Sequence, residues 1–173
     1  GLYAKVAPKP RSNYVFYPGQ TRFNRLTAPD IFRYDFKLEA RFSDIKRRAN
    51  GVILASGDSA AGYEIYLEDG YAEFTYVFTR ENIYTLRSKI RLSPKTRSLS
   101  LVGKVSGKGS GELQMFIDGK SAGTLGLPHM WKVEALNAGI RCGENKGAPI
   151  SFAYDGTNPL QAELGRVDFT LDI

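Results

Sequence analysis

Cysteine and histidine are almost missing from this sequence: its 173 residues hold one of each, Cys142 and His129. A lone thiol cannot close an intramolecular disulfide or build a Cys-cluster zinc site, and it fits a cytosol as well as a periplasm. A lone imidazole removes His-rich metal centres and leaves at most one ring for acid–base work. No apolar run approaches the ~18 residues of a membrane span, so no membrane partner is expected. The opening Gly1-Leu2-Tyr3-Ala4-Lys5-Val6 has no initiating methionine and neither an h-region nor a cleavage site. It reads as a cut or processed end, with any targeting signal of a parent protein out of view.

Catalytic patterns are missing as well. Cys142 is followed by Gly143-Glu144-Asn145, which supplies no base to generate a thiolate, and a buried strand cysteine is the expected reading. His129 sits in Leu127-Pro128-His129-Met130-Trp131, a packed loop. The two-glutamate run that jelly-roll glycosidases place on one strand does not occur; Glu64 and Glu68 flank a hairpin, and Glu39 stands between Lys37 and Arg41. The glycines from Gly103 to Gly111, with Lys104 and Lys108, lack the spacing and following helix of a P-loop. No catalysis is expected of this chain on its own.

What remains is a globular composition, 42% hydrophobic and 12% aromatic, of a length that suits one domain. The 24 basic residues exceed the 18 acidic ones by six. They are scattered: Arg22 and Arg25 stand apart, Lys46-Arg47-Arg48 is a short run, and Arg87, Lys89 and Arg91 alternate along a strand. Solvated strand faces are the expected explanation, and no nucleic-acid partner follows.

Residues 1–13, with Pro8 and Pro10, read as a linker, and a single domain spans 14–173. From Phe32 to Phe42 every second residue is apolar, which predicts a strand with Phe32, Tyr34, Phe36, Leu38, Ala40 and Phe42 inward. A short strand over Gly51–Ser56 follows. Tyr63–Leu67 and Tyr71–Phe78 flank Asp69-Gly70, and Leu113–Ile117 and Ser121–Leu125 flank Asp118-Gly119, so each set forms a hairpin. A further strand pair spans Ile83–Leu92 and Ser98–Val105, around Ser93-Pro94-Lys95. A strand near Ala138–Cys142, a long loop over 143–159 and a closing strand over Ala162–Ile173 complete the chain. About ten strands without an amphipathic helix predict an all-β fold, two antiparallel sheets packed as a jelly-roll sandwich.

Several segments resemble the C-terminal domain of large bacterial-type arylsulfatases: Tyr14-Val15-Phe16-Tyr17-Pro18-Gly19, Ala28-Pro29-Asp30, Gly62-Tyr63-Glu64-Ile65-Tyr66-Leu67-Glu68-Asp69-Gly70, Tyr84-Thr85-Leu86-Arg87-Ser88, and Met115 through Lys120. Gly139 through Ile150 with Tyr154 looks like that family's glycine–proline loop. The resemblance runs from Tyr14 to Ile173 and implies a concanavalin-like or laminin-G-like jelly roll. It also implies an accessory role, packed against a sulfatase catalytic domain as partner, in a periplasmic or cytoplasmic bacterial protein. The family's Cys/Ser-x-Pro-x-Arg formylglycine motif is absent, and Asn145 stands where an aspartate is expected.

Two other functions compete with that reading. A carbohydrate- or sulfated-polyanion-binding module would stack sugars on tyrosines among Tyr63, Tyr66, Tyr71, Tyr76 and Tyr84, half of which alternation turns inward. Tyr76 and Tyr84, with Arg87 and Arg91 for sulfate groups of a glycan, are the candidate ligand residues. A lectin-like domain would hold a structural calcium through Glu144 and Asp155.

Overall fold

Alternation in the segment ending at Phe42 produces the expected strand, and the same logic repeated along the chain produces two layers. The computed structural model describes residues 13–19, 21–22, 34–57, 62–106, 109–129, 140–144 and 159–172. The expected linker lies outside these residues except for Asn13, as do Phe32 and Asp155. The strands are β1 (Asn13–Phe16), β2 (Thr21–Arg22), β3 (Asp35–Ile45), β4 (Gly51–Gly57), β5 (Gly62–Glu68), β6 (Tyr71–Thr79), β7 (Asn82–Arg91), β8 (Ser98–Val105), β9 (Gly111–Ile117), β10 (Lys120–Leu127), β11 (Ile140–Cys142) and β12 (Ala162–Asp172).

They form two antiparallel sheets, ordered β1-β12-β3-β8-β9-β10 and β2-β11-β4-β5-β6-β7. These are called here the β3 sheet and the β5 sheet. No helix occurs among the described residues. The jelly-roll sandwich expected from the sequence is therefore the fold.

Both Asp-Gly hairpins form as expected. Asp69 and Gly70 have φ of 50° and 80°, and Asp118 and Gly119 have 48° and 79°. Two consecutive positive φ values match the right-handed twist of the flanking strands, which is why this dipeptide is favoured there. The pairing expected for Ile83–Leu92 and Ser98–Val105 does not occur. β7 is an edge of the β5 sheet, whereas β8 lies between β3 and β9 in the other layer. Residues 92–97 cross between the layers with Leu92 and Thr96 buried, so the segment is a crossover rather than a hairpin turn.

The core fills the space between the sheets. Phe36, Leu38, Ala40 and Phe42 of β3, with Val167, Phe169 and Leu171 of the adjacent β12, face Tyr63, Ile65 and Leu67 of β5 and Phe74 of β6 in one apolar cluster. Packing is close enough that β8 carries a glycine where Phe36 lies: a Cβ at Gly103 would overlap the Phe36 ring. Truncating a fully buried ring such as Phe74 or Phe169 to alanine would cost about 3–5 kcal/mol.

Candidate functional site

Side chains directly opposite one another on paired strands share a face, so the registers of the β5 sheet map its outward rows. Arg141, Ala55, Glu64, Thr75 and Thr85 form one row across β11, β4, β5, β6 and β7. Val52, Tyr66, Glu73 and Arg87 form the next. Glu68, Tyr71 and Arg91 form a third. On the other side of the first row lies a fourth, Gly57, Gly62, Val77 and Ile83.

This outward face is not an ordinary solvated one. Glu64 is 0% exposed, Arg141 5%, Glu73 8% and Thr75 2%. Val52, Ala55, Tyr66 and Val77 form a second, smaller apolar cluster on the same side. Burying polar groups is unfavourable unless hydrogen bonds compensate, so their partners define what the face can do. The Arg141 guanidinium donates from Nη2 to the Gly57 carbonyl at 2.9 Å. The Tyr66 hydroxyl donates to Oε2 of Glu73, and the Thr75 and Thr85 hydroxyls lie 3.3 Å apart. Arg87 donates from Nη1 to Oε1 of Glu73 at 2.5 Å and lies 3.7 Å from Glu68.

Electrostatics follow from these contacts. Burial, together with the bond to Glu73, raises the Tyr66 phenol above its usual range and keeps it protonated as a donor. The bond to Glu73 raises the Arg87 guanidinium. From β4 towards β7 the floor comes to the surface: Glu73 is nearly covered, while Arg87 is 41% exposed by side chain and Thr85 and Ile83 are exposed. The guanidinium carbons of Arg87 and Arg91 lie 4.2 and 4.7 Å from the Tyr71 ring centroid, within cation–π range.

The residues expected from the sequence are placed as follows. Arg87 and Arg91 do come together, over Tyr71. Each is already held by a carboxylate, however: Arg87 by Glu73, and Arg91 by Asp69, whose Oδ2 is 2.8 Å from Nη2. Tyr76 requires correction as a stacking ligand, because it is 0% exposed and belongs to the core between the sheets. Its cross-strand partner Tyr84 lies on the same inward row, half-buried, with the two rings stacked at 6.2 Å. Alternation does sort the tyrosines, with Tyr63, Tyr76 and Tyr84 inward and Tyr66 and Tyr71 outward.

Glu144 is half-buried just after β11, and Asp155 lies outside the described residues, so the expected calcium pair is not described. Among the described residues no three His, Cys, Asp or Glu side chains gather as metal ligands. Cys142 is buried and its thiol is pushed up to about 12, which leaves no thiolate at neutral pH. His129 stacks on Phe78 with ring centroids 5.2 Å apart.

Sequence reasoning missed Arg141, Glu64, Glu73 and Thr75 as site residues and offered Tyr66 only as one of five stacking tyrosines. The signal for Glu64, Glu73 and Thr75 was present in the two hairpin strands. Once Tyr63, Ile65 and Leu67, and Phe74 and Tyr76, are assigned inward, Glu64, Tyr66, Glu73 and Thr75 must share the other face. Arg141 carried no such signal, because its three-residue strand joins the sheet only through long-range pairing.

No protein-family model matches the sequence, and no curated protein matches it. Solved structures do. The CBM40 module of the Ruminococcus gnavus IT-sialidase, bound to α2,6-sialyllactose, is similar with a TM-score of 0.60 at 15% identity, over 94% of this chain and 92% of that one. The leech intramolecular trans-sialidase matches with 0.57 at 12% identity, over 92% of this chain and 25% of that one. Domains LG4-5 of the mouse laminin α1 chain match with 0.52 at 13% identity, over 94% and 41%. At these identities the likeness establishes the fold, a jelly roll of the CBM40 and laminin-G kind. None of these three structures is an arylsulfatase.

Proposed function

We propose that this chain is a non-catalytic carbohydrate-binding module that takes its glycan at the β6–β7 margin of the outer face of the β5 sheet. The observation that carries this reading is the floor of Glu64, Tyr66, Glu73 and Thr75, buried on a sheet's outward side, tied together by the Tyr66–Glu73–Arg87 and Thr75–Thr85 contacts and surfacing at Thr85, Arg87 and Tyr71. Sugar recognition needs fixed donors and acceptors at the spacing of ring hydroxyls, and side chains already locked by one another lose little freedom on binding. Arg87, bound to Glu73 through one nitrogen and half-exposed, keeps further N–H groups for a ligand oxygen. A carboxylate-bearing sugar would compete with Glu68, the weaker of its two acidic partners. Sialyllactose is the natural first probe, since a similar module is seen with it.

An accessory role beside a sulfatase catalytic domain has less support. That role calls for a contiguous apolar patch. The exposed large apolar side chains among the described residues are Val15 and Tyr17, in and just after β1, and Ile83 and Ile90 on β7, at opposite lateral edges of the sandwich.

The test is titration calorimetry with sialyllactose and lactose, backed by a glycan array. The reading expects saturable binding that Arg87→Ala weakens at least about tenfold, the loss of one charge-assisted hydrogen bond, while Lys37→Ala on the opposite sheet changes nothing. A folded protein that binds no glycan, or binds one equally well without Arg87, overturns it.

A further inference from the structure

Five chain reversals meet at one end of the sandwich. They are residues 46–50 between β3 and β4, Asp69-Gly70, the crossover 92–97, Asp118-Gly119, and residues 159–161 leading into β12. Registers place them together: Ile45 lies opposite Ala162, Arg41 opposite Ser98, Leu99 opposite Ile117, Gly51 opposite Leu67, and Tyr71 opposite Arg91. The turns also bond to one another. Gly70 donates to the Ala49 carbonyl at 2.9 Å, Leu92 to Gly70 at 2.8 Å, Gln161 to Asn50 at 2.9 Å and Asp118 to Ser98 at 3.0 Å. Asp69 N–H donates to Oδ1 of Asn50 at 2.9 Å.

This rigid end gathers seven of the 24 basic residues that look scattered along the chain. Lys46, Arg47, Arg48, Arg91, Lys95, Arg97 and Lys120 are all exposed there. The acids nearby are mostly committed. Asp69 takes Arg91 and Arg48 at 2.8 and 3.8 Å, and Glu68 lies beside Arg87 at 3.7 Å. Asp118 spends Oδ1 on the backbone N–H groups of Arg97 and Ser98, both at 2.9 Å. On the flanking strands Glu163 accepts from Ser43 at 3.0 Å, and Asp44, opposite it in the register, is exposed. Lys46, Arg47, Lys95 and Lys120 have no carboxylate in ion-pair reach among the described residues. The Arg97 guanidinium donates to the carbonyls of Pro94 and Thr96, each at 3.0 Å, and so to neutral acceptors.

We infer that this end of the sandwich is a docking surface for an anionic polysaccharide chain, separate from the sugar site at the β6–β7 margin. Cations on several rigid turns, unneutralised by neighbours, suit a repeating polyanion: each ionic contact releases a counterion, and the backbone needs little further ordering. None of the five turns carries an aromatic side chain for stacking bases. None carries an exposed large apolar side chain for inserting into a membrane interface. The polysaccharide is therefore favoured over a nucleic acid or a lipid surface.

The experiment measures binding of the full chain to heparin, standing for anionic polysaccharides, across a salt series. The variant Lys46→Gln/Arg47→Gln/Lys95→Gln/Lys120→Gln is compared with Lys37→Gln/Arg80→Gln/Lys104→Gln/Arg166→Gln, which removes the same charge elsewhere. The turn-end variant should bind at least about tenfold more weakly, and the slope of log Kd against log salt should fall by roughly one for each cation withdrawn from the interface. The control variant should retain most of both. Glutamine keeps the side-chain stems, and a melting curve confirms that each variant is folded. Equal loss in the two variants would mean net charge alone, and overturns the proposal, as does unchanged binding. A turn-end variant that keeps heparin but loses duplex DNA or phosphatidylserine vesicles overturns the assignment to polysaccharide. Arg87→Ala should leave heparin binding intact, so this site and the sugar site can fail independently.

Discussion

The two outward faces of the sandwich draw on similar side chains and place them in different surroundings. On the β3 sheet, Lys37, Glu39, Arg41, Arg166 and Asp168 form a lattice of pairs at 2.8 to 3.8 Å, mostly open to solvent. Such pairs contribute about 0–1 kcal/mol each, because water already solvates both charges. On the β5 sheet, Arg141 and Glu73 are withdrawn from water, and their hydrogen bonds to the Gly57 carbonyl and to Tyr66 and Arg87 must replace what solvation supplied. The same charge–charge chemistry is thus nearly neutral on one face and structurally decisive on the other. Burial, not residue type, sets the difference.

Substitutions can widen or close that contrast. The largest effect should come from Arg141→Ala, which strips a buried guanidinium from the Gly57 carbonyl. A loss of about 2–4 kcal/mol is expected in urea denaturation, against less than about 0.5 kcal/mol for Lys37→Ala on the solvated face. Equal effects would erase the distinction between the faces.

Glu73→Ala should rank next. It leaves the Tyr66 hydroxyl and Arg87 without their shared acceptor, at about 1–3 kcal/mol. Adding Tyr66→Phe should recover part of that loss, so the double-mutant cycle reads the coupling directly. Simple additivity of the two losses would show that the contact is energetically idle.

The smallest effect belongs to the turn end. Arg91, by hydrogen bond, holds the exposed Asp69 carboxyl below its usual value. A lowered native value means that the ion pair's contribution is complete above the unfolded carboxylate value, near 4, and fades as pH falls through the native one. An Asp69→Asn variant should be slightly less stable than the parent at pH 7, and the gap should narrow as pH falls below about 4, in denaturant midpoints.

Much of the architecture could be read along the chain. Strict alternation from Tyr34 to Phe42 and the Asp-Gly pairs at 69–70 and 118–119 each depend on neighbours in sequence, and each is realised. The pairing of β7 with β8 could not be read, because Ser93-Pro94-Lys95 suits a hairpin and a layer crossover alike. Only the burial of Leu92 and Thr96 distinguishes the two. For the site, Arg87 was found but its neighbour Glu73 was not, since their meeting depends on the β6–β7 register. Tyr76 was misplaced by counting tyrosines without assigning each to a side of its strand.

By itself, then, the sequence determined the fold class, the Asp-Gly hairpins and the inward apolar rows, because side-chain direction along a strand is a local property of the backbone. Tertiary structure alone decided which polar residues were buried together and that seven basic residues from separate turns would gather at one end. Both depend on strands far apart in the chain coming to lie side by side, and the energy of a charge is set by the neighbours and solvent that such pairing gives it.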